Sequence, residues 1–424
     1  MKKTVSKNIS GLKGSITIPA DKSISHRAVM FASLAKGKSV IKNFSKGQDP
    51  RSSLEICKAL GVDAQFLDET TLIVNSTGVL KAPSQPLDCG NSGTTMRLMS
   101  GILAGQGFNS VLTGDQSLSK RPMKRVIQPL SLMGAKIDSI DGHAPLTIAG
   151  QNLSAINYDS PLASAQVKSC ILLAGLNADG VTTVTEPYLS RNHTELMLKF
   201  MNADIKTDGC TVSVSRSKLE PREINVCGDI SSAAYFIAAG LIVPNSDIIL
   251  KNVGLNPTRT GILDVVKFMG GNIEILDKKN VSGEEVGDLR VRYSDLAGCT
   301  IEDGIIPRLI DELPVVAVLA TQARGTTIVR DAGDLRNKES DRIKCVVNEL
   351  RKVGADISEL EDGFVINGKT QLKGDAELET YHDHRLAMSW YVAGLVCDRP
   401  VVVNDFEWAG ISFPEFVPLF EQLS

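Results

Sequence analysis

Along this chain, apolar residues at helical spacing run up to a small residue and then give way to alternation. The succession appears first as Ile56-Cys57-Lys58-Ala59-Leu60-Gly61-Val62-Asp63-Ala64, then as Pro129-Leu130-Ser131-Leu132-Met133-Gly134-Ala135-Lys136-Ile137. It returns as Leu198-Lys199-Phe200-Met201-Asn202-Ala203-Asp204-Ile205, Val266-Lys267-Phe268-Met269-Gly270-Gly271-Asn272-Ile273 and Leu350-Arg351-Lys352-Val353-Gly354-Ala355-Asp356-Ile357. Each predicts a helix ended by Gly or Asn in the left-handed conformation, with a strand directly after. A second strand follows in every case: Leu72-Ile73-Val74, Leu146-Thr147-Ile148, Val212-Ser213-Val214, Leu289-Arg290-Val291 and Phe364-Val365-Ile366.

The turns recur roughly every 70 residues, too long for a solenoid and suited to duplicated α/β subdomains. A sixth helix, Phe416-Val417-Pro418-Leu419-Phe420-Glu421-Gln422-Leu423, lacks strands after it, and Ser15-Ile16-Thr17-Ile18 reads as the strand that completes this last repeat. The expected architecture is therefore α/β, with two domains of three repeats each: 19–227, and 228–424 plus 1–18. The two crossovers between them are expected to act as a hinge.

Composition narrows the possibilities. With 424 residues and 42% hydrophobic content, the chain can fill about two or three domain cores. A net charge of −3 gives no general basic surface for nucleic acid, so anions must be attracted by cations grouped locally. No apolar run is long enough for a membrane span, and Met1-Lys2-Lys3-Thr4 leads into polar sequence without a signal-peptide core. Eight Cys without a CxxC pair or zinc spacing read as free thiols, so a cytoplasmic location is expected.

Candidate chemistry lies in short polar strings before predicted helices. In Asp21-Lys22-Ser23-Ile24-Ser25-His26-Arg27, Ser23 or Ser25 is expected to cap a helix whose first turns hold Lys22 and Arg27. The helix dipole disfavours cations there, and an anion held by backbone N–H groups and both side chains removes the conflict. Gly90-Asn91-Ser92-Gly93-Thr94-Thr95-Met96-Arg97 opens another helix, and Gly93 lets a ligand approach the backbone closely. Arg121-Pro122, Ser164-Ala165-Gln166-Val167-Lys168 and Ser190-Arg191-Asn192-His193-Thr194-Glu195 also precede helices; alone, each reads as a surface turn.

Asp311-Glu312 stands before a nearly uncharged helix, where the dipole favours acids, and a carboxylate facing a cation-lined cleft also suits a general base. Lys338 and Arg342, in Asn337-Lys338-Glu339-Ser340-Asp341-Arg342, are placed at i, i+4 on one helix face, where they repel unless an anion bridges them. Glu339 beside them is a candidate acid or base. His384-Arg385 starts a further helix; His382, Asp383 and His384 diverge on a helix, so no metal site is read there. Ala32 to Ser39 fits a loose P-loop pattern, but a helix precedes it and a strand follows, the reverse of a phosphate cradle.

Taken together, DKSISHRA, GNSGTTMR, RPM, SAQVKS, SRNHTE, DELP, NKESDR and DHRLAM resemble the ordered motifs of the enolpyruvyl transferase family, from Lys22 to Pro414. The resemblance implies two domains, each of three βαβαββ units around buried helices. It implies enolpyruvyl transfer from phosphoenolpyruvate to the 5-hydroxyl of shikimate 3-phosphate, without metal or organic cofactor. Lys22, Ser23, Arg27, Ser164, Gln166, Arg191, Asp311 and Lys338 are then expected on shikimate 3-phosphate. Lys22, Gly93, Arg121, Gln166, Arg342 and Arg385 are expected on phosphoenolpyruvate. Asp311 is implied as base at the 5-hydroxyl, and Glu339, with Lys22, as proton handler at the methylene carbon. The partners implied are these two small molecules, with no nucleic acid or membrane, and the chain is expected to be a monomer.

Two positions depart from the best-known pattern of this family: Ile411 stands where some members carry a phosphoenolpyruvate-contacting Lys, and Ala165 replaces a Ser. Gly93 is retained, so glyphosate is expected to compete at the phosphoenolpyruvate site. The sister branch acting on UDP-N-acetylglucosamine carries a loop Cys before its Arg-Pro; here Gly114 to Pro122 holds none. A non-catalytic anion-binding relative is the other alternative, and it has no need of Asp311 and Glu339.

Overall fold

The computed structural model describes residues 1–424. They form two compact units: one comprises Met1–Pro19, Cys227–Asn280 and Glu285–Ser424, the other Ala20–Val226 and Val281–Glu284. Each unit holds three small sheets. In the Ala20–Val226 unit all three have four strands, and they share one plan: a parallel outer pair followed by two antiparallel pairings. The other unit has two sheets of four strands and one of three.

The five turns predicted from the apolar pattern all take positive φ: Gly61 (86°), Gly134 (97°), Asn202 (67°), Gly270 (78°) and Gly354 (94°). Each ends a helix and hands the chain to a strand, because this conformation reverses the backbone while satisfying the last carbonyls. Asn202 holds the same conformation as the glycines because its short polar side chain tolerates it.

The N-terminal strands differ from expectation. Lys13–Thr17 pairs in parallel with Asp247–Gly254, completing the repeat that begins at Cys227 and not the last one. The last repeat is completed by Lys3–Val5, antiparallel to Val401–Val403. Ile16 faces the core in the first pairing and Val5 in the second, so each strand is fixed by its own buried apolar residue.

Each unit is built around three helices that bury nearly their whole circumference. They are Lys22–Leu34, Gly93–Ala104 and Ala165–Gly175 in one, and Ile230–Ile242, Leu313–Gln322 and His384–Gly394 in the other. Apolar or small residues all round suit such central helices. Gly101 shows how closely two of them pack: a Cβ there would lie 2.1 Å from the Cys170 carbonyl oxygen. No helix is long and apolar enough to cross a membrane.

Candidate active site

Five of the polar strings singled out from the sequence sit at the N-terminal ends of five of these buried helices, all but Ile230–Ile242; Arg121-Pro122, Ser190–Glu195 and Asn337–Arg342 precede other helices. In the Ala20–Val226 unit, the Lys22–Leu34 helix is capped by Asp21, whose carboxylate accepts from Ile24 N at 2.8 Å. Neither Ser23 nor Ser25 is the cap; both lie inside the helix, and the Ser25 hydroxyl donates to the Asp21 carbonyl. The acid before the helix offsets the dipole that the cations oppose. Lys22 Nζ lies 3.0 Å from Asp49 Oδ2.

Arg27 is almost fully buried. Its Nε donates to the Thr194 hydroxyl at 2.7 Å, Nη2 to Ser169 at 2.9 Å and Nη1 to the Ser23 carbonyl at 2.9 Å. Burial lowers its pKa to about 10, against the opposing pull of Glu195 and Asp21; nearby Arg191 adds to the lowering. Arg27 is thus a fixed, charged group among side chains drawn from three helices.

A second group surrounds Gly93. Ser92 caps the Gly93–Ala104 helix through Thr95 N at 3.1 Å. Arg97 donates to Gln166 Oε1, and Gln166 Nε2 donates to the Thr94 hydroxyl at 2.9 Å. Arg121 Nη2 donates to Asn91 Oδ1 at 2.8 Å. Gly93, Arg97 and Arg121 converge so tightly that a Cβ on Gly93 would lie 3.1 Å from Arg97 Nη1 and 3.5 Å from Arg121 Nη1. Beneath them His26 Nδ1, Ser53 and Thr95 form a buried chain, 2.7 and 2.8 Å per link. Desolvation drives the His26 pKa down to about 3, so this ring is neutral at ordinary pH.

Ser164 is the N-cap residue of Ala165–Gly175 but makes no side-chain capping bond. The helix after Arg191 begins at His193, three residues earlier than the apolar pattern suggests. Arg191 itself stands before that helix, half-buried.

In the other unit the acids and cations interlock around Arg342. Its Nε and Nη2 donate to the two carboxylate oxygens of Asp383, at 2.8 and 3.2 Å. Nη2 also donates to Glu339 at 2.6 Å, and Nη1 lies 3.4 Å from Asp311 Oδ1. Burial alone would depress this guanidinium, but Asp383 and Glu339 hold it above the ordinary arginine value. Arg385 likewise stays above its ordinary value despite burial, because of Asp311 first and Tyr235 and Glu312 after it. Asp311 therefore has Arg342, Arg385 at 3.8 Å and Arg259 at 4.0 Å around one carboxylate.

Lys338 and Arg342 do not share a helix face. A 3-10 turn, Gly333–Asn337, ends at Lys338, and the helix Arg342–Lys352 starts anew with Asp341 as its cap. Lys338 pairs with Asp334 at 2.9 Å, so the repulsion expected from i, i+4 spacing does not arise. His382 packs edge-on against Trp408, and Asp383 caps the His384–Gly394 helix while holding Arg342.

Several charged groups here went unread in the sequence. Arg259 donates to Ser231 at 2.6 Å, lies 3.3 Å from Asp229, and Ser231 in turn donates to buried Glu312. The available signal was Asp229-Ile230-Ser231-Ser232, which mirrors Asp21-Lys22-Ser23-Ile24 ahead of the equivalent buried helix. Such sets of fixed cations, each braced by a carboxylate or hydroxyl, can hold polyanionic small molecules and stabilise charge that shifts during a reaction.

Comparison with known proteins shows the family. A model of the family described as EPSP synthase (3-phosphoshikimate 1-carboxyvinyltransferase) matches residues 6–420. The 3-phosphoshikimate 1-carboxyvinyltransferase of Bacillus licheniformis is 49% identical over 98% of both chains. That of Thermodesulfovibrio yellowstonii is 52% identical over 97% of both. The solved EPSP synthase of Acinetobacter baumannii superposes with a TM-score of 0.91, at 41% identity, covering 100% of this chain and 98% of that one. The enolpyruvyl transferase NikO from Streptomyces tendae, 17% identical, shares the fold at a TM-score of 0.80, with 99% and 96% covered. By motif, sequence and fold alike, the chain belongs to the EPSP synthase family.

Proposed function

We propose that this chain catalyses the family's reaction: the enolpyruvyl group of phosphoenolpyruvate passes to the 5-hydroxyl of shikimate 3-phosphate, giving 5-enolpyruvylshikimate 3-phosphate and phosphate. The product lies on the route to chorismate and the aromatic amino acids. The observation that carries the residue-level reading is Asp311, one carboxylate surrounded by Arg259, Arg342 and Arg385. A carboxylate held in place among three cations in this way is a positioned proton acceptor for a hydroxyl.

In this reading Ser23, Arg27, Ser164, Gln166, Arg191 and Lys338 hold shikimate 3-phosphate, Asp311 takes the 5-hydroxyl proton, and Lys22 touches both substrates. Gly93, Arg121, Gln166, Arg342 and Arg385 hold phosphoenolpyruvate. The hydroxyl oxygen attacks C2 while C3 gains a proton, in which Glu339 and Lys22 take part. Collapse of the tetrahedral intermediate expels phosphate, and the proton added at C3 is removed again to restore the alkene. The fixed guanidinium groups offset charge on both substrates and on the departing phosphate. Closure on substrate, excluding water, is the gating step of this reading.

The reading also places the activity in the cytoplasm, in keeping with eight free cysteines, and in a monomer, which sedimentation checks. The deciding assay measures phosphate released from phosphoenolpyruvate with shikimate 3-phosphate, and in parallel with UDP-N-acetylglucosamine. Release only with shikimate 3-phosphate is expected; release only with the nucleotide sugar, or with neither, overturns the reading.

A further inference from the structure

A buried ionic cluster lies behind the turns that carry Ser164 and Arg191. Glu186 follows the strand Val181–Thr185, and its side chain is almost wholly enclosed. One oxygen, Oε1, accepts from Ser164 N at 2.8 Å. The other, Oε2, accepts from the Ser190 hydroxyl at 2.7 Å and from Ser190 N at 3.3 Å. Lys168, one turn into the helix that Ser164 begins, places Nζ 2.8 Å from Glu186 Oε2 and 2.8 Å from Glu195 Oε1. The same ammonium lies 3.4 Å from the Ser190 carbonyl.

We propose that Glu186 is a positioning residue for the phosphorylated acceptor: its carboxylate locks the Ser164 turn and the Ser190-Arg191 turn into a single geometry, with Lys168 as its counter-ion. The inference rests on the assignment of Ser164 and Arg191 to shikimate 3-phosphate made above.

Stability alone is a weak reason for such a cluster. Buried ion pairs are commonly no more stabilising than apolar side chains of the same volume, because desolvation offsets their attraction. What this one does is directional. All three groups that donate to Glu186, apart from Lys168, belong to the two turns, and a carboxylate is the one side chain that accepts from all of them at once. The order extends further. Glu195 adjoins Thr194, whose hydroxyl is shared by Arg27 at 2.7 Å and Ser169 at 2.7 Å. The backbone from Glu195 to Thr194 therefore ties the cluster at the Ser164 turn to the groups that hold Arg27.

The test is Glu186→Gln. Lys168 keeps Glu195 as counter-ion, so no unpaired charge is buried. The amide, however, turns an N–H group towards donors that Glu186 now accepts from. Calorimetric binding of shikimate 3-phosphate, without phosphoenolpyruvate, is expected to weaken about tenfold, in line with losing a hydrogen bond to a charged group. The KM for shikimate 3-phosphate rises correspondingly, while kcat and the KM for phosphoenolpyruvate stay within about twofold. Unchanged acceptor affinity, or equal rises in both KM values, overturns the proposal.

If Glu186→Gln does not yield folded protein, Ser190→Ala removes only the hydroxyl bond. It is expected to weaken the same ligand selectively, by about threefold; unchanged affinity there also overturns the proposal. A parent protein that neither binds nor turns over shikimate 3-phosphate overturns the functional reading itself. A normal parent with an unaffected variant overturns the role of Glu186 alone.

Discussion

Arg342 grips Asp383 with two nitrogens, Nε on one carboxylate oxygen at 2.8 Å and Nη2 on the other at 3.2 Å, and both side chains are shut away from water. Removing one partner of such a pair exposes the desolvation cost of the other. Asp383→Asn is therefore expected to destabilise the protein by about 3 kcal/mol, the low end for a broken buried pair, since Glu339 and Asp311 still face Arg342. Urea unfolding measures it; a loss below ~1 kcal/mol would show that the two remaining carboxylates suffice.

Asp311→Asn keeps the shape of the side chain but removes the proposed base. Turnover is expected to fall about 10²- to 10⁴-fold, the usual worth of a positioned general base, with acceptor affinity changed far less. Single-turnover kinetics beside calorimetric binding separates the two. Equal losses in both would make Asp311 a binding group only.

Gly93→Ala pushes a methyl group against the far ends of Arg97 and Arg121. Both guanidinium groups can move by a few tenths of an ångström, so the protein is expected to fold normally. The KM for phosphoenolpyruvate is expected to rise about tenfold, roughly 1.4 kcal/mol, with acceptor affinity nearly unchanged. Glyphosate should compete with phosphoenolpyruvate in the parent and lose potency in this variant. Inhibition indifferent to phosphoenolpyruvate concentration would place it elsewhere.

His26 gives a pH signature. Its pKa falls from about 6.5 to about 3 on folding, so between these values the unfolded chain binds a proton that the folded one does not. Stability contributed by the neutral ring is complete above pH 6.5 and declines as pH falls towards 3. At pH 5 the loss relative to pH 7 is on the order of 2 kcal/mol. Denaturation of parent and His26→Gln at both pH values checks it: the variant should show a shallower decline, and parallel declines would remove His26 as the cause.

At Gly270 a Cβ would meet nothing within 4 Å, yet φ is 78°. Gly270→Ala thus isolates backbone strain, with an expected cost of about 1–2 kcal/mol. Gly270→Asn should cost less, as Asn202 occupies the equivalent turn. Equal costs for the two would locate the penalty outside the backbone conformation.

The features read correctly from the sequence were local. The five helix-ending turns and the strings before the buried helices depend on residues a few positions apart, so spacing and composition reveal them. Where distant partners decide the outcome, the reading failed. Ser15 to Ile18 has the same alternation whichever sheet it joins, and nothing in it selects the partner Asp247–Gly254. Lys338 and Arg342 keep helical spacing, but the 3-10 turn Gly333–Asn337 stops at Lys338 and Asp341 caps a new helix before Arg342. Glu186 and Arg259 stand in unremarkable strings, and their importance comes entirely from groups that folding brings to them.

The two strands near the N-terminus have a consequence for synthesis. Lys3–Val5 pairs with Val401–Val403, and Lys13–Thr17 with Asp247–Gly254. A ribosome releases those first strands long before their partners exist. The Ala20–Val226 stretch contains all the strands of its own three sheets and can condense while the rest is still being made. The opening segment must instead wait, unpaired and with sheet edges to offer: Lys13–Thr17 until Asp247–Gly254 has been made, and Lys3–Val5 until Val401–Val403 has followed. Its charged and small residues, Lys2, Lys3, Lys7, Lys13 and Gly14, are the kind that keep a waiting strand from pairing with a neighbour on the same polysome.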